Sequence, residues 1–174
     1  MGQSALRPQT PERIAAAAAH RPVDTPIPRP APLSSGDAPA NRVLIVDDQP
    51  DIRWLCRFAL GADGLVCEEV GTGPDAIAAA ARHNYDLVLL DIDLPGCSGE
   101  EVLRRLRQNP PSPNLKVVMF SGSASGDDLS RNMLGGADDF LTKPFSTVQL
   151  RARVKAALRL KAAQDRSAST AASR

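Results

Sequence analysis

Four acids, a hydroxyl and a lysine stand where apolar runs end along this 174-residue chain. Asp47-Asp48 follows Val43-Leu44-Ile45-Val46, and Asp91-Ile92-Asp93 follows Leu87-Val88-Leu89-Leu90. Ser121 closes the run from Leu115 to Phe120, and Lys143 follows a shorter one ending at Leu141. A continuous apolar run that stops at a turn signal reads as a strand buried on both faces. Ligands and chemistry collect at the carboxyl edge of an open parallel sheet. An aspartate there suits a metal ligand, a nucleophile or both; the plainer role is to cap the following turn. Three carboxylates in one pocket repel unless a cation lies among them. Oxygen-only donors suit a hard cation such as Mg²⁺, which keeps several of its waters. A lysine and a hydroxyl on the far side would neutralise and hydrogen-bond a phosphoryl group.

The elements that must position these residues alternate along the chain. The strand ending at Val46 leads to Pro50, which suits a first helical turn. Ile52, Leu55, Cys56, Ala59 and Leu60 follow at helical spacing, with Gly61 and Gly64 as the stop. Leu65 to Val70 predicts a weaker strand at or near a sheet edge. Gly73-Pro74 opens a second helix on an alanine-rich face, running to about His83. After the strand at 87–90 comes the turn through Gly96, then the capping-box pattern Ser98-Gly99-Glu100-Glu101 and a third helix with Val102, Leu103 and Leu106 inward. Further expectations are a strand from Leu115 to Phe120, a fourth helix from about Gly126 to Leu134, and a short strand from Ala137 to Leu141. A last helix follows a second capping box at Ser146 to Gln149. Alternation with short connections implies right-handed crossovers. The fold class is therefore α/β, a doubly wound five-stranded parallel sheet with helices on both faces. In the flavodoxin-like order 2-1-3-4-5, strands one and three are neighbours, which brings Asp47, Asp48 and Asp91 together.

Three segments are expected. Residues 1–40 hold eight of the fifteen prolines and read as a disordered Pro/Ala-rich tail. The folded domain is expected over 41–160, with a second disordered tail over 161–174. Net charge over 41–160 is −2, the wrong sign for a protein that binds nucleic acid through its phosphates. No apolar run approaches the length of a membrane helix. Cys56, Cys67 and Cys97 are odd in number and lack metal-ligand spacing; they read as free thiols in a reducing compartment, hence the cytoplasm. Trp54 lies off its helix's apolar stripe and reads as half-buried packing, with a kinase-docking surface as the alternative. Arg151, Lys155 and Arg159 recur on one face of the last helix and read as a solvated face, a docking stripe being the sharper version.

Four motifs in order make residues 42–160 resemble the receiver domain of bacterial two-component response regulators. They are Val-Asp-Asp at 46–48, Leu-Leu-Asp-Ile-Asp-Leu-Pro-Gly at 89–96, Phe-Ser-Gly at 120–122 and Gly-Ala-Asp-Asp-Phe-Leu-Thr-Lys-Pro-Phe at 136–145. The resemblance implies that Asp91 is the phospho-acceptor and Asp48 a direct Mg²⁺ ligand. Asp47 would act on the ion mostly through water, and the backbone carbonyl of Asp93 would be a further contact. Ser121 matches the switch hydroxyl and Phe140 the aromatic switch position. Lys143 matches the lysine that pairs with the phosphate, its bond to Pro144 being cis. The implied function is phosphorylation-dependent signalling in a phosphorelay. The implied partners are a sensor histidine kinase or histidine phosphotransfer protein and a downstream protein effector, without nucleic acid or membrane contact. No catalysis is implied beyond self-phosphorylation and autodephosphorylation.

Two positions depart from the family's commonest pattern. Ser stands at 121 where Thr is more frequent, and Asp93 sets another acid beside the acceptor. Gln149 stands where the DNA-binding branch often has an acid used in dimer contacts, so the oligomeric state is left open. A haloacid-dehalogenase-type phosphatase also uses Asp-x-Asp, a strand-end hydroxyl, a Lys and Mg²⁺, but places Asp-x-Asp on its first strand and its acidic pair last. A transcription factor would need a module that the fourteen residues after 160 cannot form. A stand-alone receiver is the leading expectation. The alternatives kept are a receiver fragment of a larger regulator whose effector domain is absent, and a phosphorylation-independent scaffold.

Overall fold

Arg42–Val46 (β1), Val66–Val70 (β2), Leu87–Asp91 (β3), Lys116–Ser121 (β4) and Asp139–Thr142 (β5) pair in parallel in the order β2-β1-β3-β4-β5. This is the order expected from the alternating pattern. The computed structural model describes residues 40–122 and 135–172. The helix expected at 126–134 and all but the last residue of the tail expected over 1–40 lie outside the described residues. The described helices are α1 (Pro50–Gly61), α2 (Gly73–Arg82), α3 (Gly99–Gln108) and α4 (Thr147–Ala172).

Apart from Arg42 at the start of β1, side chains on the three central strands are buried, and alternation divides the apolar ones between two cores. Val43, Ile45, Leu87, Leu89, Val118 and Phe120 face Leu60 of α1 and Leu150 and Val154 of α4. Leu44, Val46, Val88, Leu90, Val117 and Met119 face Ala76 and Ala79 of α2 and Val102, Leu103 and Leu106 of α3. Strand β2 is the edge, with Val66 half exposed, as its weak pattern predicts.

Local chemistry starts each helix. Thr72 caps α2 by accepting from the Asp75 amide at 3.2 Å. Ser98 accepts from the Glu101 amide at 3.3 Å, but the Glu101 carboxylate turns outward to Arg104 and Arg105, so only half of that capping box forms. The second box is complete: the Ser146 amide donates to Gln149 Oε1 and the Gln149 amide to Ser146 Oγ.

One expectation is corrected. Residues 161–174 do not read as a tail throughout, because α4 continues to Ala172. Lys161 is buried and pairs with Asp86 at 3.2 Å and Asp165 at 2.6 Å, while Asn114 donates to Asp165 at 2.7 Å. These contacts fasten an alanine-rich stretch of high helix propensity. Trp54 is 52% exposed and packs on the helix surface, stacked on Phe58, itself 65% exposed, with ring centroids 5.4 Å apart. Both point away from the α1 stripe that Cys56, Ala59 and Leu60 bury.

Candidate functional site

The strand register assembles the site. Val46 pairs with Leu90, so the next residues along, Asp47 and Asp91, are neighbours across the β1–β3 ladder. Ser121 pairs with Thr142 at the end of the β4–β5 ladder, and Lys143 follows immediately. Alternation turns Asp91 toward the side occupied by α1 and α4, the side that Leu87 and Leu89 share.

Lys143 Nζ bridges the two buried acids, 2.8 Å from Asp47 Oδ2 and 2.7 Å from Asp91 Oδ2. Asp47 is wholly buried, Asp91 almost so, and Asp48 is exposed. One carboxylate oxygen from each of the three lies within 4.8 Å of the others. Burial pushes the Asp47 carboxyl above its ordinary pKa, and the neighbouring Asp91 charge adds to this against the hydrogen bonds from Lys143 and the Gln49 amide. Burial works against the Lys143 ammonium, but hydrogen bonds to Asp47 and Asp91 outweigh it and raise its pKa. Three carboxylates against one ammonium leave a local excess of negative charge. The donor set therefore fits a divalent oxygen-seeking cation, held by Asp47, Asp48 and Asp91.

Around this centre the chain is tightly placed. The Gln49 amide donates to Asp47 Oδ1 at 2.9 Å, and the Asp93 amide to Asp91 Oδ1 at 3.3 Å. The bond between Lys143 and Pro144 is cis, and the Lys143 amide donates to the Ser121 carbonyl at 2.7 Å. Lys143 Nζ lies 5.8 Å from the centroid of Phe120, which packs on Phe145 at 4.8 Å. Asp93 is exposed on the turn after β3, its Oδ2 reaching to 3.6 Å from where a β-carbon on Gly122 would stand. Ser121 is buried at the end of β4. Phe140 is turned inward, in the core on the α2–α3 side of the sheet.

The structure thus brings Asp47, Asp48, Asp91, Ser121 and Lys143 to one edge, with Asp93 at its rim and Phe140 two strand pairings below Ser121. Two further residues of the site were not singled out in the sequence. A β-carbon on Gly99 would stand 2.1 Å from the Asp91 carbonyl oxygen, so the start of α3 lies directly on the Asp91 backbone and only glycine fits. Arg53 donates from Nη1 to the carbonyls of Asp47 at 2.6 Å and Asp48 at 3.1 Å. Its signal was a cation one helical turn beyond the acid pair; Gly99 was legible only as part of a cap.

Residues 43–155 match the response regulator receiver domain family. Relatives include the phosphate regulon transcriptional regulatory protein PhoB of Rhizobium meliloti, 38% identical over 118 residues, covering 68% of this chain and 52% of that protein. The transcriptional regulatory protein ResD of Bacillus subtilis is 36% identical over 118 residues, covering 68% and 48%. The chain spans about half the length of these curated relatives. Among solved structures, a CheY-like receiver domain protein from Methanospirillum hungatei superposes with a TM-score of 0.67 at 28% identity, covering 72% of this chain and 99% of that one. NtrX from Brucella abortus superposes with a TM-score of 0.70 at 30% identity, covering 75% and 29%. Fold, register and sequence agree, and the chain belongs to the response regulator receiver domain family.

Proposed function

We propose that this chain takes a phosphoryl group onto Asp91 from the phosphohistidine of a sensor kinase or phosphotransfer protein and changes its contacts with a protein effector as a result. The observation that carries the reading is the acid edge itself: Lys143 spans Asp47 and Asp91, with Asp48 close enough for all three to share one cation. An Asp91 carboxylate oxygen attacks phosphorus, the phosphorus–nitrogen bond breaks, and the histidine nitrogen leaves with its electron pair. When bound, Mg²⁺ supplies neutralisation of the phosphoryl oxygens, held by Asp47, Asp48 and Asp91 with the Asp93 carbonyl as a further donor. Lys143 moves from a carboxylate pair to a phosphoryl oxygen, and Ser121 donates its hydroxyl to another. Phe140, already inward, keeps that position once Ser121 is engaged. The β5–α4 face is the output surface. The setting is the cytoplasm, the domain spans 41–160, and no other substrate is turned over.

Incubation of intact protein with acetyl phosphate and Mg²⁺ tests the reading by mass spectrometry. The expected result is a single phosphoryl mass gain that needs Mg²⁺ and is lost in Asp91→Asn. Absence of both a mass gain and beryllofluoride binding would instead support the phosphorylation-independent scaffold.

A further inference from the structure

Arg53 presents a puzzle of sign. It is a cation placed against the turn that gathers three carboxylates for another cation. Its side chain is four-fifths buried, and Nη1 donates to two successive carbonyls, those of Asp47 and Asp48. Glu69 on β2 faces it, with Oε2 3.8 Å from Arg53 Nε, and is also paired with Arg57. The Asp47 amide donates to the Val70 carbonyl at 3.3 Å, and the Arg53 amide to the Gln49 carbonyl at 3.2 Å. The turn between β1 and α1 is thus tied to β2, to the helix and, through the guanidinium, to both of its own acid residues.

We propose that Arg53 is a positioning residue for the divalent cation. By holding the Asp47 and Asp48 carbonyls it fixes the peptide planes from which those two carboxylates project, and Glu69 offsets its charge so that positioning outweighs repulsion of the ion. The inference rests on the cation site proposed above. It adds a residue that touches no phosphoryl group and no metal. Groups that orient ligands from behind typically matter about tenfold or more in metal affinity.

Two physical accounts of Arg53 predict opposite signs. If its positive charge acted simply through space, removing it would tighten Mg²⁺ binding. If it positions the turn, removing it weakens binding. The test is the melting midpoint of the full chain as a function of MgCl₂ concentration, which yields a dissociation constant by linkage, separately from the metal-free midpoint. The expected result is that Arg53→Met weakens Mg²⁺ binding by roughly tenfold. Arg53→Lys, which keeps a donor, should fall between it and the unsubstituted protein. Arg57→Met, which loses the other Glu69 partner but no turn carbonyl, should bind as the unsubstituted protein does. A lower metal-free midpoint with an unchanged or tighter dissociation constant in Arg53→Met overturns the inference. Should Arg53→Met not fold, Arg53→Lys decides by the same criterion. Asp48→Asn separates the two levels: if the unsubstituted protein binds Mg²⁺ and Asp48→Asn does not, the site stands whatever Arg53 does. If the unsubstituted protein shows no Mg²⁺ dependence, the site itself fails and the inference with it.

Discussion

Lys143 and Asp47 carry opposite charges in a place that favours neither. Asp47 has no exposed surface and Lys143 keeps 15% of its side chain in solvent, so the ammonium is the nearest countercharge the acids have in the metal-free molecule. Lys143→Met should therefore destabilise the metal-free fold at neutral pH. A loss of about 1–3 kcal/mol is expected, below the value for a fully enclosed pair because solvent reaches the lysine. The sign with pH follows from Asp47, whose carboxyl pKa already lies above its unfolded value. A folded state that holds its proton more tightly than the unfolded one loses stability as pH rises above about 4. The defect in Lys143→Met should shrink as pH falls toward that point, and chemical denaturation at a series of pH values checks it. Asp93, exposed at the rim with its carboxylate near Gly122, sets another acid beside Asp91, and on the proposed reading it would act on the lifetime of the phosphoryl group. Asp93→Asn should slow phosphoryl loss severalfold, measured as decay of the phosphorylated mass; an unchanged rate removes Asp93 from the mechanism.

At the scale of elements, the stripe on the last helix has a structural partner. Arg151 pairs bidentately with Asp63 in the turn after α1, and Lys155 reaches the same carboxylate at 3.1 Å, so two residues read as a solvated face instead join α4 to α1. The Arg151 hydrogen bond holds the Asp63 carboxyl well below the usual carboxylate range, with Lys155 adding to it. A depressed folded pKa stabilises above the unfolded pKa of about 4 and the benefit is lost as pH falls below it. Asp63→Asn should thus be less stable than the unsubstituted protein at neutral pH and converge with it in acid, a comparison that thermal melts at two pH values make directly. That contact was invisible in the sequence because Asp63 and Arg151 are 88 residues apart. The strands were legible because buried parallel strands are written as unbroken apolar runs, and the acid edge because each run ends in a polar residue of the right kind. Helix starts were legible from Gly73-Pro74 and from the Ser98 and Ser146 boxes, the last two through short-range hydrogen bonds. The end of α4 was not, because alanine and serine residues after 161 carry no apolar stripe; there Lys161 and Asp165 of the helix are held by Asp86 and Asn114 from outside it. Trp54 and Phe58 show the opposite limit: type suggests burial, and only the tertiary placement of α1 shows that both face out.

For the whole molecule, the carboxyl edge of the sheet is where charges of one sign collect and the two cores are where stability resides. A ligand that satisfies the edge should therefore stabilise everything beneath it. At ten times its dissociation constant, Mg²⁺ should raise unfolding stability by about 1.4 kcal/mol. Calorimetry with and without MgCl₂ checks this, and Asp48→Asn should abolish the gain. The contact between Gly99 and the Asp91 carbonyl bears on where such an edge can give. Helix α3 rests on the backbone of Asp91 with no side chain between them, and the Gly99 amide also donates to the Ile92 carbonyl at 2.9 Å. That flank is tightly packed: the Asp91 backbone and the start of α3 are in direct contact. If Asp91 takes up a phosphoryl group as proposed, displacement would be directed the other way, across β4 toward Ser121, Lys143 and Phe140. On the proposed reading the molecule would work like a hinge with one leaf bolted down, its direction set by the absence of a single β-carbon at Gly99.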